Sequence, residues 1–464
     1  MRFRHFGVVA VAAVTAAFVA ASAQAASFRP AASGLTFTPL TAQEVQQAPT
    51  CQRGLLCYTP QMIQQAYDVP TGPTAPTGAG ETIVVVVAYG SPFLAADVDN
   101  FDQVFGLPDA NLGELDQQTV YAPVGSNAFQ TWALETSLDV EWAHAIAPGA
   151  RIVVAVAAND DTSNLAEMTR EAIQAYPDAI VVNSFGGDES GLASDPDAEN
   201  VMDKAFASLA LHGGTAVAAS GDLGATNNTI FTGVQPTPMA SYPASSPLVL
   251  AVGGTEGNAY PGGLWNNGQY GGEQVWNEVF LDTGQIGASG GAPSTVYPLP
   301  IWQRGVAAAR GGRAVPDVAW NAAANGGVII SFGGQFGAIG GTSAAAPQWA
   351  GVLALANELR AKADRSQVGL VTPVLYFLGR DKATYRQDFH DITVGNNVFA
   401  DALGSGLPGF SAGAGYDYAT GLGTPDVSHL LASLAATEPS FSRFGDLLTS
   451  HGHGHGHVTF HPGR

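Results

Sequence analysis

Charged residues are scarce in this sequence, and most of them are acidic. Only 12% of the 464 residues are charged, and the 39 Asp and Glu outnumber the 18 Lys and Arg. Typical globular proteins carry about a quarter charged residues. A net charge of −21 repels phosphate groups, which excludes nucleic acid and anionic membrane surfaces as partners. A surface with few ion pairs also loses little when carboxylates are protonated, which indicates tolerance to acid.

Cysteine is also scarce, because the chain has only Cys51 and Cys57. In an exported protein, two cysteines this close favour one small disulfide loop over two free thiols. Export is indicated at the N terminus, where basic residues precede an apolar run that ends in the small-residue pattern Ala-Gln-Ala at 23–25. We therefore expect a signal peptide over residues 1–25 and a secreted protein. An uncleaved N-terminal anchor is the alternative.

Long apolar runs are missing from the rest of the chain. No later stretch reaches about 18 consecutive apolar residues, the length needed to span a bilayer, so we expect no membrane association after signal cleavage. The apolar fraction of 46% excludes a disordered chain. We expect a short N-terminal segment at 26–54, one folded domain at 55–436 without an internal linker, a His/Gly-rich flexible tail at 437–464, and a monomer.

Apolar runs, often rich in Val and Ile, alternate with segments of helical periodicity along the folded domain. Runs that are apolar on both faces predict buried strands, and their regular alternation with helices predicts an α/β fold with a doubly wound parallel sheet and helices on both faces. From about 255 to 340 the sequence predicts long surface loops with short strands. The predicted strands lie within 81–90, 151–158, 179–187, 215–222 and 247–254, and the helices near 93–104, 131–147, 163–176 and 197–211.

Three polar residues attract attention by their position. Ser184 and Asp222 follow predicted strands, and Ser343 begins a predicted helix in GGTSAAAPQWAG. Ligands of doubly wound sheets bind beyond the carboxyl ends of the strands. A serine at a helix start is most often an N-cap. The alternative is a nucleophile, because a helix N terminus offers free amides and a positive dipole end to an oxyanion.

A serine nucleophile needs a base, and the histidines of this chain are poor candidates. Five of the ten lie in the tail. His212, in LHGGTAV, faintly resembles a subtilisin-type histidine motif but precedes a strand, so a surface or core role is the better interpretation. A subtilisin-type mechanism stays open as an alternative and predicts activity that rises above neutral pH.

Two acids offer a different base. Glu135 and Asp139 are four residues apart on a predicted helix and therefore share one face. The simplest interpretation is a solvated acidic edge, but apolar neighbours also allow burial. A buried pair cannot ionise fully, so the two acids would share a proton. Such a Glu could act as a general base in acid, where a histidine is already protonated.

A set of motifs, jointly specific, resembles the sedolisins, or serine-carboxyl peptidases. The resemblance runs from about residue 57 to 426 and implies a subtilisin-like fold, peptide-bond hydrolysis through a Ser acyl-enzyme in acid, and protein or peptide substrates. The domain at 55–436 would then be the peptidase domain. The motifs, in family order, are ETSLD (135–139), ASGDLGA (219–225), SGGAPSTVYPLPIWQ (289–303), RAVPDVAWNA (313–322), GGTSAAAPQWAG (340–351) and GAGYDYATGLGTPD (413–426).

The resemblance implies a role for each of four residues. Ser343 would be the nucleophile, Glu135 its general base, and Asp139 the acid that orients and shares a proton with Glu135. Asp222 would complete the oxyanion hole with the Ser343 backbone amide. An Asp can donate a hydrogen bond only while protonated, so this role demands low pH or a raised pKa. Without the resemblance, Asp222 is interpreted as an Asx turn.

The segments FHDITVG (389–395) and GAGYD (413–417) resemble the calcium site of the same family. The resemblance implies one Ca²⁺ bound by oxygen ligands alone, which suits a hard cation. From the residues alone, the second segment would be interpreted as a glycine loop. The implied ligands are the carboxylates of Asp391 and Asp417 and the backbone carbonyls of Ile392, Gly413 and Gly415.

A non-catalytic peptide-binding protein that keeps the fold is the alternative to an enzyme.

Overall fold

The computed structural model describes residues 27–30, 37–51, 55–116, 121–231, 236–258, 260, 263–280, 285–305 and 311–437. The expected signal peptide lies outside the described residues, and so does all of the tail beyond Thr437.

The described residues form ten α-helices. Helix α4 begins four residues earlier than the sequence predicts, because Ser126 caps it by accepting the amide hydrogen of Phe129. The helices are α1 (Ala42–Gln46), α2 (Pro60–Ala66), α3 (Leu94–Phe105), α4 (Asn127–Ile146), α5 (Thr162–Ala175), α6 (Pro196–His212), α7 (Thr342–Lys362), α8 (Thr372–Leu378), α9 (Lys382–Asp388) and α10 (Val427–Ala436).

The strands of the described residues are, in chain order, β1 (Arg29–Pro30), β2 (Thr38–Leu40), β3 (Cys57–Tyr58), β4 (Thr82–Ala88), β5 (Asn111–Asp116), β6 (Arg151–Ala157), β7 (Ile180–Asn183), β8 (Phe185–Asp188), β9 (Thr215–Ala219), β10 (Ser241–Tyr242), β11 (Val249–Glu256), β12 (Trp265–Asn266), β13 (Gln269–Tyr270), β14 (Gln274–Val275), β15 (Asn277–Phe280), β16 (Gln285–Ala288), β17 (Pro293–Pro298), β18 (Gly312–Ala314), β19 (Val318–Asn321), β20 (Gly327–Phe332), β21 (Gln335–Ile339), β22 (Phe389–His390) and β23 (Thr424–Pro425).

The central sheet is parallel and has the order β11-β9-β7-β4-β6-β5, with β19 also parallel to β11 and β14 antiparallel to it. The predicted α/β fold is confirmed. The sequence predicted neither β5, a polar strand at the sheet edge, nor the membership of β19 in the central sheet. Strand β19 arises from the region interpreted as surface loops, yet its four residues are all buried.

Helices cover the sheet in two packed pairs. Helices α4 and α7 pack against each other and contact β4, while α5 and α6 form the other pair and contact β4, β6 and β9. A glycine sets the distance between α4 and α7: a Cβ on Gly351 would come within 2.6 Å of the Cβ of Ile146. Only a residue without a side chain allows this approach, which brings the helices with Glu135 and Ser343 together.

The N-terminal residues that the structure describes join the main fold. Strand β2 pairs with β21, and β3 pairs with β20, in a sheet beside α3 and α4. Cys51 and Cys57 are bonded to each other, as the sequence predicts. Among the helices in the described ranges, none is long and apolar enough to cross a membrane.

Candidate active site

Helix α4 is buried along most of its length, and its two central acids are buried with it. Glu135 is 2% exposed and Asp139 is fully buried, so the interpretation as a solvated acidic edge is wrong. A helix this apolar lies inside the fold rather than on its surface. The two carboxyl groups therefore face each other's charge without the screening that water would provide.

Burial controls the protonation of this pair. Burial raises the pKa of Glu135 well above its usual range, and the charge of Asp139 raises it further, while a hydrogen bond with the Ser343 side chain opposes the rise. Burial likewise raises the pKa of Asp139, against the opposing effect of Ser184. Within the described residues, one carboxyl oxygen of each acid has no hydrogen-bond partner. Each acid therefore has one oxygen without the hydrogen bond that would stabilise its ionised form.

Ser184 connects the acid pair to Ser343. It follows β7 directly, and its hydroxyl donates to Asp139 Oδ1 at 2.7 Å. The Ser343 hydroxyl donates to the Ser184 backbone carbonyl at 3.2 Å. Ser343 also contacts Glu135, as the pKa of that acid reflects. The three sequence-predicted residues Glu135, Asp139 and Ser343 thus meet at the carboxyl end of β7.

The N terminus of α7 is held by a glycine and an acid. Gly341 lies before the helix with φ of 108°, a conformation that favours glycine. The amide and hydroxyl of Thr342 both donate to Asp222 Oδ1, at 2.8 and 2.7 Å. Ser343 is the second residue of the helix, where backbone amides have no partner within the helix.

Asp222 completes the group of four. It follows β9, is 5% exposed, and uses Oδ1 to accept both hydrogen bonds from Thr342. Its other oxygen, Oδ2, is buried and has no partner among the described residues. Burial raises the pKa of Asp222 to about 7, against the opposing effect of the Thr342 hydrogen bonds. Below that pH the carboxyl group of Asp222 is mostly protonated, which is the form that can donate a hydrogen bond.

The histidines of the described residues are engaged elsewhere. His144 contacts Asp102 and the carbonyl of Pro108. His212 is exposed at the end of α6 and contacts the Ser208 carbonyl. It also precedes β9, whereas Asp222 follows that strand. His212 therefore lies at the amino end of the strand, opposite to the end where the four site residues lie.

The expected calcium ligands also come together. Asp417 Oδ2 accepts from the Gly413 amide at 2.9 Å, and the Asp391 carboxylate accepts from the Gly415 amide at 3.0 Å. Among the described residues, no backbone hydrogen bond ends on the carbonyl oxygens of Ile392, Gly413 or Gly415. The two carboxylates and three carbonyls come from the segments 391–392 and 413–417, and this oxygen-only set has the chemistry that fits Ca²⁺.

The sequence missed the parts that Ser184 and Thr342 play. The sequence predicts Ser184 as a polar residue after a strand, but its two hydrogen bonds join it to segments 45 and 159 residues away. The sequence predicts no role for Thr342. Local sequence carries no indication of such long-range bonds.

Comparison with known proteins agrees with this geometry. The peptidase S8 model, described as the subtilase family, matches residues 126–373. Kumamolisin from Bacillus sp. (strain MN-32) is 35% identical over 391 residues, covering 81% of this chain and 63% of the relative. Sedolisin from Pseudomonas sp. (strain 101) is 31% identical over 384 residues, covering 81% of this chain and 61% of the relative.

A solved structure gives the same result for the fold. Pseudomonas sedolisin, a serine-carboxyl proteinase complexed with two molecules of pseudo-iodotyrostatin, superposes with a TM-score of 0.70 at 27% identity, covering 82% of this chain and 99% of that one. The chain spans about three-fifths of the length of the two curated relatives. The chain belongs to the subtilase family and, within it, to the sedolisins.

Proposed function

We propose that this protein is a serine-carboxyl peptidase that hydrolyses peptide bonds through an acyl-enzyme on Ser343. The observation that carries the proposal is the contact of the Ser343 hydroxyl with a buried pair of acids, Glu135 and Asp139, whose pKa values are raised by burial. A hydroxyl beside a base that is itself oriented by a third group is the arrangement that nucleophilic catalysis requires.

In the first half of the reaction, Ser343 Oγ attacks the carbonyl carbon of the substrate. Its proton passes to Glu135. Asp139 takes part in the same proton exchange, so the change in charge is spread over both acids. The proton then moves to the leaving amine, the C–N bond breaks, and the acyl group stays on Ser343. Ser184 is a positioning residue, since it holds Asp139 from one side and the resting Ser343 hydroxyl from the other.

In the second half, a water molecule attacks the ester carbonyl and gives its proton to Glu135. The bond from the acyl carbon to Oγ breaks, Ser343 recovers its proton, and the new carboxylic acid leaves. Each half passes through a tetrahedral oxyanion. We propose that the Ser343 amide and protonated Oδ2 of Asp222 stabilise it, which is supported by the unpartnered position of that oxygen.

Acid operation follows from the same groups. The acid pair serves as a base where an imidazole would be protonated, and Asp222 donates only below its pKa of about 7. We therefore propose activity in acid that declines as the pH rises through neutrality.

We also propose that Asp391, Ile392, Gly413, Gly415 and Asp417 hold one Ca²⁺. The ion would neutralise two carboxylates and fasten the loop that ends before β23, stabilising the fold rather than reacting with substrate. We propose secretion after removal of residues 1–25, a peptidase domain at 55–436 and a monomeric state. Protein and peptide substrates are proposed as the partners.

The test is proteolysis of unfolded casein between pH 3 and 8 by the natural protein and three purified variants. The Ser343→Ala and Glu135→Gln variants should lose at least two orders of magnitude in rate with unchanged circular dichroism. Glu141→Gln is the matched control: Glu141 is also buried on α4 with a raised pKa, but its carboxylate accepts the Ser331 amide instead. Full activity in Ser343→Ala would refute the proposed function.

A further inference from the structure

The turn that carries Asp222 lies against a second piece of backbone. The Ala288 amide donates to the Asp222 carbonyl at 2.9 Å, and the Gly290 amide donates to the Gly221 carbonyl at 2.7 Å. The fit is close, because a Cβ on Gly290 would lie 2.7 Å from the Gly221 carbonyl oxygen. A displacement of this second segment would therefore move Asp222 as well.

Asn397 connects this second segment to the turn. Its side-chain amide donates to the Gly291 carbonyl at 3.0 Å. Its backbone carbonyl accepts from the Ala225 amide, three residues after Asp222, at 3.0 Å. Gly224 permits this approach, because a Cβ at that position would clash with the Asn397 carbonyl oxygen. One residue thus bonds to both segments that hold Asp222 in place.

Every other polar group of Asn397 also has a partner. Its side-chain amide donates a second hydrogen bond, to the Tyr418 carbonyl at 3.3 Å, and its side-chain oxygen accepts from the Phe410 amide at 2.8 Å. Its own backbone amide donates to the Phe410 carbonyl at 3.0 Å, and the residue is fully buried. Asparagine suits this place because its side chain offers two donors and an acceptor, whereas an ionised Asp offers no donor. Such a fully bonded, buried group holds its surroundings in one arrangement.

We propose that Asn397 is a positioning residue of the oxyanion hole: it holds the backbone around Asp222 so that the carboxyl group of Asp222 stays at the N terminus of α7. An oxyanion donor works only at hydrogen-bond distance from the developing charge, and a displacement of about 1 Å can cost about a hundredfold in rate. Asn397 acts through Asp222 and not on the reacting atoms. This inference rests on the proposed peptidase function and adds to it a residue that sets the geometry of the site.

Hydrogen exchange of the full-length protein measures this connection apart from chemistry. Asn397→Ala removes the side-chain bonds, so the backbone amides of residues 221–225 should exchange about tenfold faster than in the natural protein. Asn357→Ala is the matched control. Asn357 is also buried and its side-chain oxygen accepts a backbone amide, that of Val368, but it lies toward the other end of α7 from Ser343. Its loss should leave exchange at 221–225 unchanged.

Turnover separates positioning from a general loss of stability. In Asn397→Ala, kcat for a casein-derived peptide should fall about ten- to hundredfold while KM stays within about twofold, because Asp222 acts on the tetrahedral intermediate and not on the bound substrate. Asn357→Ala should keep the natural kcat even where its melting temperature falls.

A peptide aldehyde reports on the oxyanion hole directly. Its carbonyl carbon bonds to Ser343 Oγ and the Ser343 proton passes to the carbonyl oxygen, which gives a hemiacetal with that oxygen in the oxyanion hole. A tripeptide aldehyde, with the sequence of a casein site that the natural protein cleaves, should bind about ten- to hundredfold more weakly to Asn397→Ala. The matching tripeptide alcohol forms no bond to Ser343 and should bind equally to both proteins.

The same contact can be changed from the Asp222 side, which keeps the test open if Asn397→Ala does not fold. In Gly224→Ala the new methyl group meets the Asn397 carbonyl oxygen, and kcat should fall in the same way. Gly106→Ala is the matched control: Gly106 has φ of 67° against 62° for Gly224, and no atom of the described residues lies within 4 Å of the position of its Cβ. It therefore adds the same backbone strain without displacing Asp222.

The outcomes separate the two proposals. An unchanged kcat in Asn397→Ala and Gly224→Ala, with an active natural protein, would overturn the positioning role and leave the peptidase function intact. An equal loss of kcat in Asn357→Ala and Gly106→Ala would also overturn it, because a loss of stability would then explain the effect. Unchanged hydrogen exchange in Asn397→Ala would refute the connection itself. No hydrolysis by the natural protein, together with faster exchange in Asn397→Ala, would overturn the peptidase function and support the structural connection alone.

Discussion

Replacement of Asp222 by Asn gives a prediction in which one atom decides the result. Asn keeps an oxygen in the place of Oδ1, so it still accepts the two hydrogen bonds from Thr342. It puts an NH₂ group in the place of Oδ2, the oxygen without a partner among the described residues. The variant therefore resembles the protonated acid at every pH, whereas the natural side chain donates only while it is protonated.

The magnitude follows from the pKa of about 7. One pH unit above it about a tenth of the molecules keep the donor, and two units above it about a hundredth do, so the rate should fall about tenfold per unit. The fall ends near the loss expected for one missing oxyanion donor, about 10²- to 10³-fold. Asp222→Asn should be nearly flat over this range, and Asp222→Ala should be slow at all pH values.

The assay is kcat/KM for one peptide between pH 4 and 9 for the natural protein and both variants, with thermal melts as a check of folding. If Asp222→Asn retained the same decline above pH 7 as the natural protein, the decline would belong to another group. The oxyanion role of Asp222 would then be refuted.

Three further predictions follow from the same structure. Ser184→Ala removes a hydrogen-bond donor that favours ionised Asp139, so the pKa of the acid pair should rise. The acid limb of the kcat/KM profile should then move upward by about one pH unit. An unmoved limb would show that Ser184 does not position the pair. Burial raises the pKa of Glu278 to about 7, so between the usual pKa near 4.5 and pH 7 the folded protein holds a proton there that the unfolded chain has lost. The contribution of this group to the free energy of unfolding is complete below pH 4.5 and is lost as the pH rises through 7. The melting temperature should therefore fall over that window, and less steeply in Glu278→Gln. Chelation of Ca²⁺ should lower the melting temperature of the natural protein by several degrees and leave Asp417→Asn unchanged, whereas equal shifts in both would place the ion elsewhere.

The central sheet was predictable because its strands can be recognised by their composition. The Val- and Ile-rich runs that become β4, β6 and β7 are apolar on both faces, which is typical of a buried parallel strand. Strand β5 was not predicted, because an edge strand tolerates polar residues. Strand β1 was not predicted, because two residues show no periodicity and their partner strand, β8, lies far along the chain.

The site was predictable to a different extent. Spacing places Glu135 and Asp139 on one face of a helix, but spacing cannot say whether that face is buried. Burial depends on the approach of α7, which Gly351 permits, and it decides whether the acids share a proton or stand in water. The resemblance to sedolisins supplied the grouping of these acids with Ser343. Tertiary packing supplied the role of Ser184.

The central claim is that an acid pair, rather than an imidazole, activates Ser343. Its most direct test is the rate of covalent labelling of Ser343 by a serine-directed phosphonate at pH 4, with the labelled residue located by mass spectrometry. The account predicts labelling in the natural protein and in Glu141→Gln, and a loss of at least a hundredfold in Glu135→Gln. Equal labelling of Glu135→Gln at pH 4 would contradict it.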